Sequence, residues 1–260
     1  MPSVNGTPCW YELGTPDPDG AQTFYGLVLG WTFQQDGSDG FDYRLAAAPD
    51  GAMVAGVMSN GAQAGSPPPN WLLYYAVDDC DAASGAARAA GGGVVRDPTD
   101  VAGTGRFAVL SDPQGAVFGV LQPDPPSDPD AGRAFDQAAA GHGNWHELMT
   151  PHPDQALGFY AGLFGWSPGE LYDMGAAGPY QLFRRGDADI GGMMNQGGAS
   201  VPSWVPYFGV SSFGESVDRV TTAGGTIVHG PNEVPGGACT LIAEDPQGAV
   251  FALVGPPDTA

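Results

Sequence analysis

The 260-residue chain contains no lysine. Its whole basic complement is eight arginines set against 29 acids, for a net charge of -21. A surface so acidic repels phosphate backbones and anionic lipid headgroups, which excludes nucleic acid and membrane surfaces as partners. Long apolar runs are missing too: none approaches the roughly 20 residues a membrane span requires. The start, MPSVNGTP, has neither the basic residues nor the apolar stretch of a signal peptide, so the expected location is the cytoplasm. Cysteine is scarce, and Cys9, Cys80 and Cys239 stand at no metal-type or redox-type spacing. An odd number of such thiols suits reduced packing residues better than a disulfide framework.

What the sequence does hold is itself, twice. WYELGTPDPDGAQTFYGLVLGW at 10–31 aligns without a gap on WHELMTPHPDQALGFYAGLFGW at 145–166. The match continues as VAGVMSN on IGGMMNQ, NWLLYYAV on SWVPYFGV, and DPQGAVFGVL on DPQGAVFALV. The second copy is slightly shorter, with the difference assigned to the loop GAQAGSPPPN. Between the copies, QPDPPSDPDAGRAFDQAAAGHG reads as an extended, solvated linker with a short helical turn at GRAFDQAAA.

Each copy reads as strand, helix and three strands, performed twice. WYELGT alternates as a half-buried strand does. Asp17 and Pro18 follow as an N-cap and a first helical residue. Ala21, Phe24, Tyr25, Val28 and Leu29 then recur at helical spacing until Gly30 closes the helix. Ala156, Phe159, Tyr160, Leu163 and Phe164 form the same stripe before Gly165, and both stripes read as core. WTFQQD, FDYRLAAAPDGAMVAGVM with a turn at Pro49-Asp50-Gly51, and WLLYYAV read as strands. A small helix from Asp81 to Ala90 and its counterpart from Phe213 to Ala223 each precede further strands, the first set around Val94, Phe107 and Val117.

This pattern, with an FYxxxxGW helix end and a closing DPxGxxF hairpin, resembles the vicinal oxygen chelate superfamily of glyoxalase I, bleomycin-resistance proteins and extradiol dioxygenases. The resemblance implies an α+β fold of tandem domains, each made of two βαβββ modules that curl a mixed sheet into a cup. Domains at 1–123 and 144–256, joined by a linker at 124–143, follow from it. So does a monomer with internal pseudo-twofold symmetry, a homodimer being the other arrangement.

Enzymes of that superfamily hold a divalent metal with His and Glu side chains facing the cup. The corresponding slots here carry Trp10 and Trp145 in the opening strands, Leu72 and Val205 (or a neighbour) at the start of the sixth, and Gly119 and Ala252 in the last. None of these side chains ligates such a metal. None of the four histidines is matched in the other copy: His146 stands opposite Tyr11 and His152 opposite Asp17, while His142 lies in the linker and His229 near the place of Asp97. Neither a metal nor another cofactor is therefore expected.

Strand alternation puts Trp10, Glu12 and Gly14 on one face, which the resemblance marks as the cup. Glu12 and Glu147 are the candidate catalytic residues, each accepting a ligand hydrogen bond or acting as a general base in an apolar wall. The alternative is that each carboxylate ties down its own strand end. Trp10, Tyr43, Met58 and Tyr74, with Trp145, Tyr180, Met194 and Tyr207 in the second copy, supply a candidate aromatic and thioether binding surface, joined by Phe107. Trp71 and Trp204 read either as guards of an entrance or as packing under a loop. Arg106 has Cys239 as its counterpart and Arg44 has Gln181; each reads as an anion contact or as a strand-end arginine paired with acids.

The function expected is metal-independent binding of a small, largely aromatic molecule, similar to antibiotic-sequestering resistance proteins. A metal-free lyase, isomerase or cyclase of specialised metabolism is the alternative. A glyoxalase- or dioxygenase-type metal enzyme with rearranged ligands is the third.

Overall fold

A computed structural model describes residues 5–35, 42–61, 66–124, 133–198 and 200–257. The first copy contains β1 (Thr7–Thr15), α1 (Pro18–Leu29), β2 (Thr32–Gln35), β3 (Tyr43–Ala47), β4 (Met53–Ser59), β5 (Asn70–Ala76), α2 (Cys80–Ala89), β6 (Gly93–Val101), β7 (Gly105–Ser111) and β8 (Val117–Pro123). The second contains β9 (Gly143–Thr150), α3 (Pro153–Phe164), β10 (Ser167–Asp173), β11 (Pro179–Arg185), β12 (Ala188–Asn195), β13 (Ser203–Gly209), α4 (Phe213–Thr222), β14 (Thr226–Glu233), β15 (Cys239–Glu244) and β16 (Val250–Gly255).

Each copy forms an open eight-stranded mixed sheet, ordered β2-β3-β4-β1-β5-β8-β7-β6 in the first and β10-β11-β12-β9-β13-β16-β15-β14 in the second. β1 runs parallel to β4 and β5 parallel to β8, while the hairpin partners run antiparallel. The fold is α+β, two similar open mixed sheets with no closed barrel among the described residues.

Local chemistry fixes the elements. The Asp17 side chain accepts from Gly20 N–H at 3.0 Å and caps α1. Gly30 and Gly165 end α1 and α3 at φ 72° and 74°, a left-handed conformation that costs glycine little. At α3 the cap is His152, whose side chain makes no capping bond. The Gln114 carboxamide serves that end instead, accepting from His152 N–H at 2.8 Å and donating to its carbonyl at 3.0 Å.

By contacts the chain divides into two compact units, and each draws on both copies. One comprises Met1–Cys9, Leu73–Pro129 and His146–Val205; the other comprises Trp10–Leu72, Asp130–Trp145 and Pro206–Ala260. In the second unit α1 packs on α4, with Phe24 edge-on to Phe251 and Tyr25 stacked on Trp31. In the first, α2 packs on α3, and Phe118 lies edge-on to Phe159 and Tyr160. Each fully buried aromatic stabilises by roughly 1.5–3 kcal/mol, so these clusters dominate the cores. The predicted stripe is buried in full on α1, whereas Leu163 on α3 is half-buried.

Each core is closed by the same polar chain. The Asp245 side chain accepts the backbone N–H groups of Gln247 and Ala249, both at 2.9 Å, with one oxygen and the Tyr25 hydroxyl at 3.0 Å with the other. Tyr25 in turn accepts the Trp71 indole N–H at 3.0 Å. Asp112, Tyr160 and Trp204 repeat the chain in the other unit. Trp71 and Trp204 are thus buried packing residues, the second of their two expected readings.

The linker departs from expectation. In place of a solvated connection with a helical turn, residues 133–143 form a series of tight turns, with Ala134 and His142 fully buried and Phe135 bridging to Gly143. The reason is polar anchorage. The His142 ring contacts the Arg133 carbonyl at 2.6 Å and both Asp50 carboxylate oxygens at 3.2 Å, and Trp31 donates to the Gly141 carbonyl at 2.7 Å. Residues 125–132 of the linker and 62–65 of the first copy's longer loop lie outside the described residues.

Candidate functional site

On β1, Tyr11, Leu13 and Thr15 are buried, while Trp10, Glu12 and Gly14 on the opposite face are half-buried. The register sets Glu12 opposite Gly56 and Gly14 opposite Met58 on β4, with Tyr43 of β3 across from Met58. Residue 56 has to be small. A Cβ there would stand 2.0 Å from the Tyr43 hydroxyl and 2.3 Å from Cζ, because the phenol ring lies across the glycine. That placement lets Tyr43 donate to the Glu12 carboxylate at 3.2 Å and accept the Trp10 indole N–H at 3.2 Å. Trp10, Glu12, Tyr43 and Met58 are thereby brought onto one face of one unit.

The second copy repeats the cradle. Glu147 stands opposite Gly192, and a Cβ on Gly192 would lie 2.2 Å from Cζ of Tyr180. Met194 is half-buried on the same strand, and Trp145 is half-buried on β9. The copies differ in access: Glu147 is buried, at 5% exposure, whereas Glu12 is half-buried. Sequence reasoning overlooked Gly56 and Gly192. Their signal was present, since both fall in the aligned VAGVMSN and IGGMMNQ segments.

Tyr74 is buried opposite Gly119, and its ring packs edge-on to Phe107 at 6.2 Å. The Arg96 guanidinium sits 4.7 Å above the Phe107 ring. Tyr207 is buried opposite Ala252. Arg106 forms ion pairs with Asp81 at 2.7 Å and Asp100 at 2.8 Å, and Arg44 with Asp19 at 2.7 Å and Asp42 at 3.0 Å. For both arginines the structure gives the strand-end pairing that was one of the two readings.

A divalent metal does not fit the residues present. Trp10 and Trp145 offer indole rings, and Leu72 and Val205 offer hydrocarbon. The space beyond Gly119 is taken by the Tyr74 ring, whose Cδ1 would lie 2.2 Å from an added Cβ. Among the described residues no group of three or more His, Cys, Asp or Glu side chains is placed to hold a cation. His146 is buried with Nδ1 3.1 Å from the Ile190 carbonyl, and burial lowers its pKa to about 3.

Two mixed sheets of two βαβββ modules apiece, each sheet with one glutamate opposite a glycine on which a tyrosine ring lies, define a tandem protein of the glyoxalase type. The chain belongs to the Glyoxalase/Bleomycin resistance protein/Dioxygenase superfamily, whose family model matches residues 9–120 and 134–253. It is 32% identical over 260 residues to CFP32 of Mycobacterium tuberculosis (strain CDC 1551 / Oshkosh), provisionally called a glyoxylase, covering 96% of this chain and 95% of that one. It is 30% identical over 263 residues to the anthracycline biosynthesis protein DnrV of Streptomyces peucetius, covering 96% and 93%. In fold it is similar to the Mn(II)-bound glyoxalase from Novosphingobium aromaticivorans, with a TM-score of 0.66 and 18% identity over 97% of this chain and 83% of that one. The 2,3-dioxygenase LapB from Pseudomonas sp. KL28 is similar as well, with a TM-score of 0.67 and 13% identity over 97% and 93%. No helix among the described residues is long and apolar enough to cross a membrane.

Proposed function

We propose that this protein binds a small, largely aromatic organic molecule on the half-buried face of β1, β3 and β4, without a divalent metal and in the cytoplasm. The observation that carries the reading is the chain from Trp10 through Tyr43 to Glu12. The Trp71–Tyr25–Asp245 chain has the same chemistry but is sealed in a core, whereas the Glu12 chain lies half-open beside a methionine. An indole and a phenol offer flat apolar area at low entropic cost, and the carboxylate orients a polar group of the guest. Met58 adapts to its outline. The protein acts as a monomer in which the two copies supply one another's cores.

A second reading keeps the same residues and adds turnover. DnrV and its relative DauV of Streptomyces sp. (strain C5) are both named for anthracycline biosynthesis. In that reading Glu12, held in place by Tyr43, moves a proton in a metal-free lyase, isomerase or cyclisation step. Glu12→Gln separates the two: a binder keeps most of its affinity for an aromatic guest, and a catalyst keeps affinity but loses rate by about 10²-fold or more. Near-stoichiometric iron, zinc, nickel or manganese in the purified protein, with activity lost on its removal, would defeat both.

A further inference from the structure

Most of the arginines are spent on acids. Arg44, Arg88, Arg106, Arg184 and Arg219 each pair with an aspartate or glutamate at 3.0 Å or less. Arg96 is held differently. Its guanidinium carbon lies 4.7 Å from the centre of the Phe107 ring, and among the described residues the guanidinium has no ion pair and no hydrogen bond. The acids near it on β6 are taken, Asp97 by Arg88 at 3.0 Å and Asp100 by Arg106 at 2.8 Å. An arginine without a carboxylate is unexpected in a chain of net charge -21.

The strands fix the face it serves. Arg96 pairs with Val109 across β6 and β7, Val109 with Gly119 across β7 and β8, and Gly119 with Tyr74 across β8 and β5. Paired residues share a face, and alternation adds Phe107 to it. Ala108, Leu110 and Phe118 point the other way and are buried, Phe118 against α3. The Arg96 face stays accessible in the whole chain, because Phe107 and Val109 are half-buried and Arg96 is exposed. The ladder register shifts on either side of Arg96, and such bulges re-aim a side chain. Here they accompany a guanidinium laid over a ring. Stacking occupies the flat face of a guanidinium and leaves the N–H groups around its edge for a planar oxyanion.

The second copy keeps the strand but not the pair. In step with the two DPQGAVF segments, His229 stands where Arg96 does, opposite Ile242 with register shifts on both sides, and Thr240 replaces Phe107. The Asn232 amide donates to His229 Nε2 at 2.9 Å. Neither the guanidinium nor the ring beneath it is repeated there.

We propose that Arg96, laid on Phe107, is a carboxylate-binding site on the β5–β8–β7–β6 half of the first sheet, and that it takes an aromatic organic acid. The carboxylate meets the guanidinium edge in two parallel hydrogen bonds, and the ring of the acid lies on Phe107 and Val109. Arginine suits this role because its planar fork matches a carboxylate and its charge is permanent. The site belongs to the unit that includes Leu73–Pro129 and uses neither Glu12 nor Tyr43, so it goes beyond the binding function proposed above and does not depend on it.

The probes are 2-naphthoate and its neutral isostere 2-naphthamide, titrated in about 0.15 M salt to screen the repulsion of an acidic chain for anions. Binding is followed through the arginine Nε–H signals of a nitrogen-proton NMR spectrum, the Arg96 signal being the one lost in Arg96→Gln. Naphthoate should shift that signal saturably and bind about tenfold or more tighter than the amide. Arg96→Gln should remove the preference. Arg96→Lys, which keeps the charge but loses the fork and the stacking, should lower naphthoate affinity severalfold, and Phe107→Leu should do the same. Arg219→Gln makes the same change in net charge in the other unit and should leave the preference intact. Arg96 is exposed, so its two variants should melt with the parent protein. Equal affinity for the two probes, a preference that survives in Arg96→Gln, or no saturable binding of naphthoate overturns the inference and leaves the Glu12 face to its own test.

Discussion

Tyr25 donates its hydroxyl proton to Asp245, 220 residues away in sequence, at 3.0 Å, and receives the Trp71 indole N–H at the same distance. Tyr160 and Asp112 form the reciprocal pair at 3.3 Å, so the helix tyrosine of each copy is tied to the DPQGAVF turn of the other. Burial pushes both aspartates above the usual carboxylate range and both phenols well above theirs.

Removing the Tyr25 hydroxyl strands an indole N–H and a carboxylate oxygen where water does not reach. Tyr25→Phe should therefore destabilise by roughly 2–3 kcal/mol. Tyr43→Phe deletes the same group from the half-open face, where water can replace it, and should cost less than about 1 kcal/mol while weakening aromatic binding. Urea denaturation of the two variants gives the comparison, and equal losses would place both tyrosines in equivalent surroundings.

A carboxyl whose folded pKa is raised binds its proton more tightly in the folded chain than in the unfolded one. Its contribution to stability is then full below the unfolded value of 3.8 and lost as pH rises through the higher folded value. Asp245→Asn cannot titrate. The wild-type protein's margin over that variant should shrink as pH rises from below 4 toward neutrality, read from denaturation midpoints across the range.

His146 shows the opposite sign. Its folded pKa is lowered to about 3 from 6.5 by burial, so the neutral ring belongs to the folded state. The stability it confers is complete above pH 6.5 and is lost as pH falls toward 3, at no more than roughly 1.4 kcal/mol per pH unit. His146→Phe should flatten the acid limb of the stability profile. An unchanged slope would mean that this ring is hydrated in the folded chain.

Gly56→Ala drives a methyl into the Tyr43 ring, and Gly192→Ala does the same to Tyr180. Each should cost about 1–3 kcal/mol through overpacking. Only Gly56→Ala should also weaken the guest, since it displaces the hydroxyl that holds Glu12. Thermal melts paired with calorimetry distinguish loss of fold from loss of site.

The repeated strand at Trp10 and Trp145, the helix stripe ending at Gly30 and Gly165, and the turn at Asp50 were all legible in the chain. Each depends on a local pattern: alternation, a 3.6-residue period, or a glycine able to take positive φ. The pairing of Glu12 with Tyr43 was half legible, because alternation puts both on the cup face but says nothing of their distance. Gly56 was missed because a glycine in a strand announces only that something comes close, and the tyrosine that does so lies on a neighbouring strand. The linker was misread because Ala, Gly and Asp describe solvation well and anchorage badly; Asp50, through His142, and Trp31 hold it from outside its own sequence.

The sequence by itself determined the duplicated αβ pattern, the acidic surface and the lack of ligating side chains at the family's metal positions, since composition and short-range periodicity are properties of neighbours along the chain. Only the tertiary structure decided that Asp245 serves Tyr25 rather than Tyr160, that Arg44 and Arg106 are spent on aspartates, and that Glu12 stays half-open where Glu147 is buried. Those outcomes depend on which distant groups share a low-dielectric space. Chain order does not encode that until the strands have paired and the helices have packed.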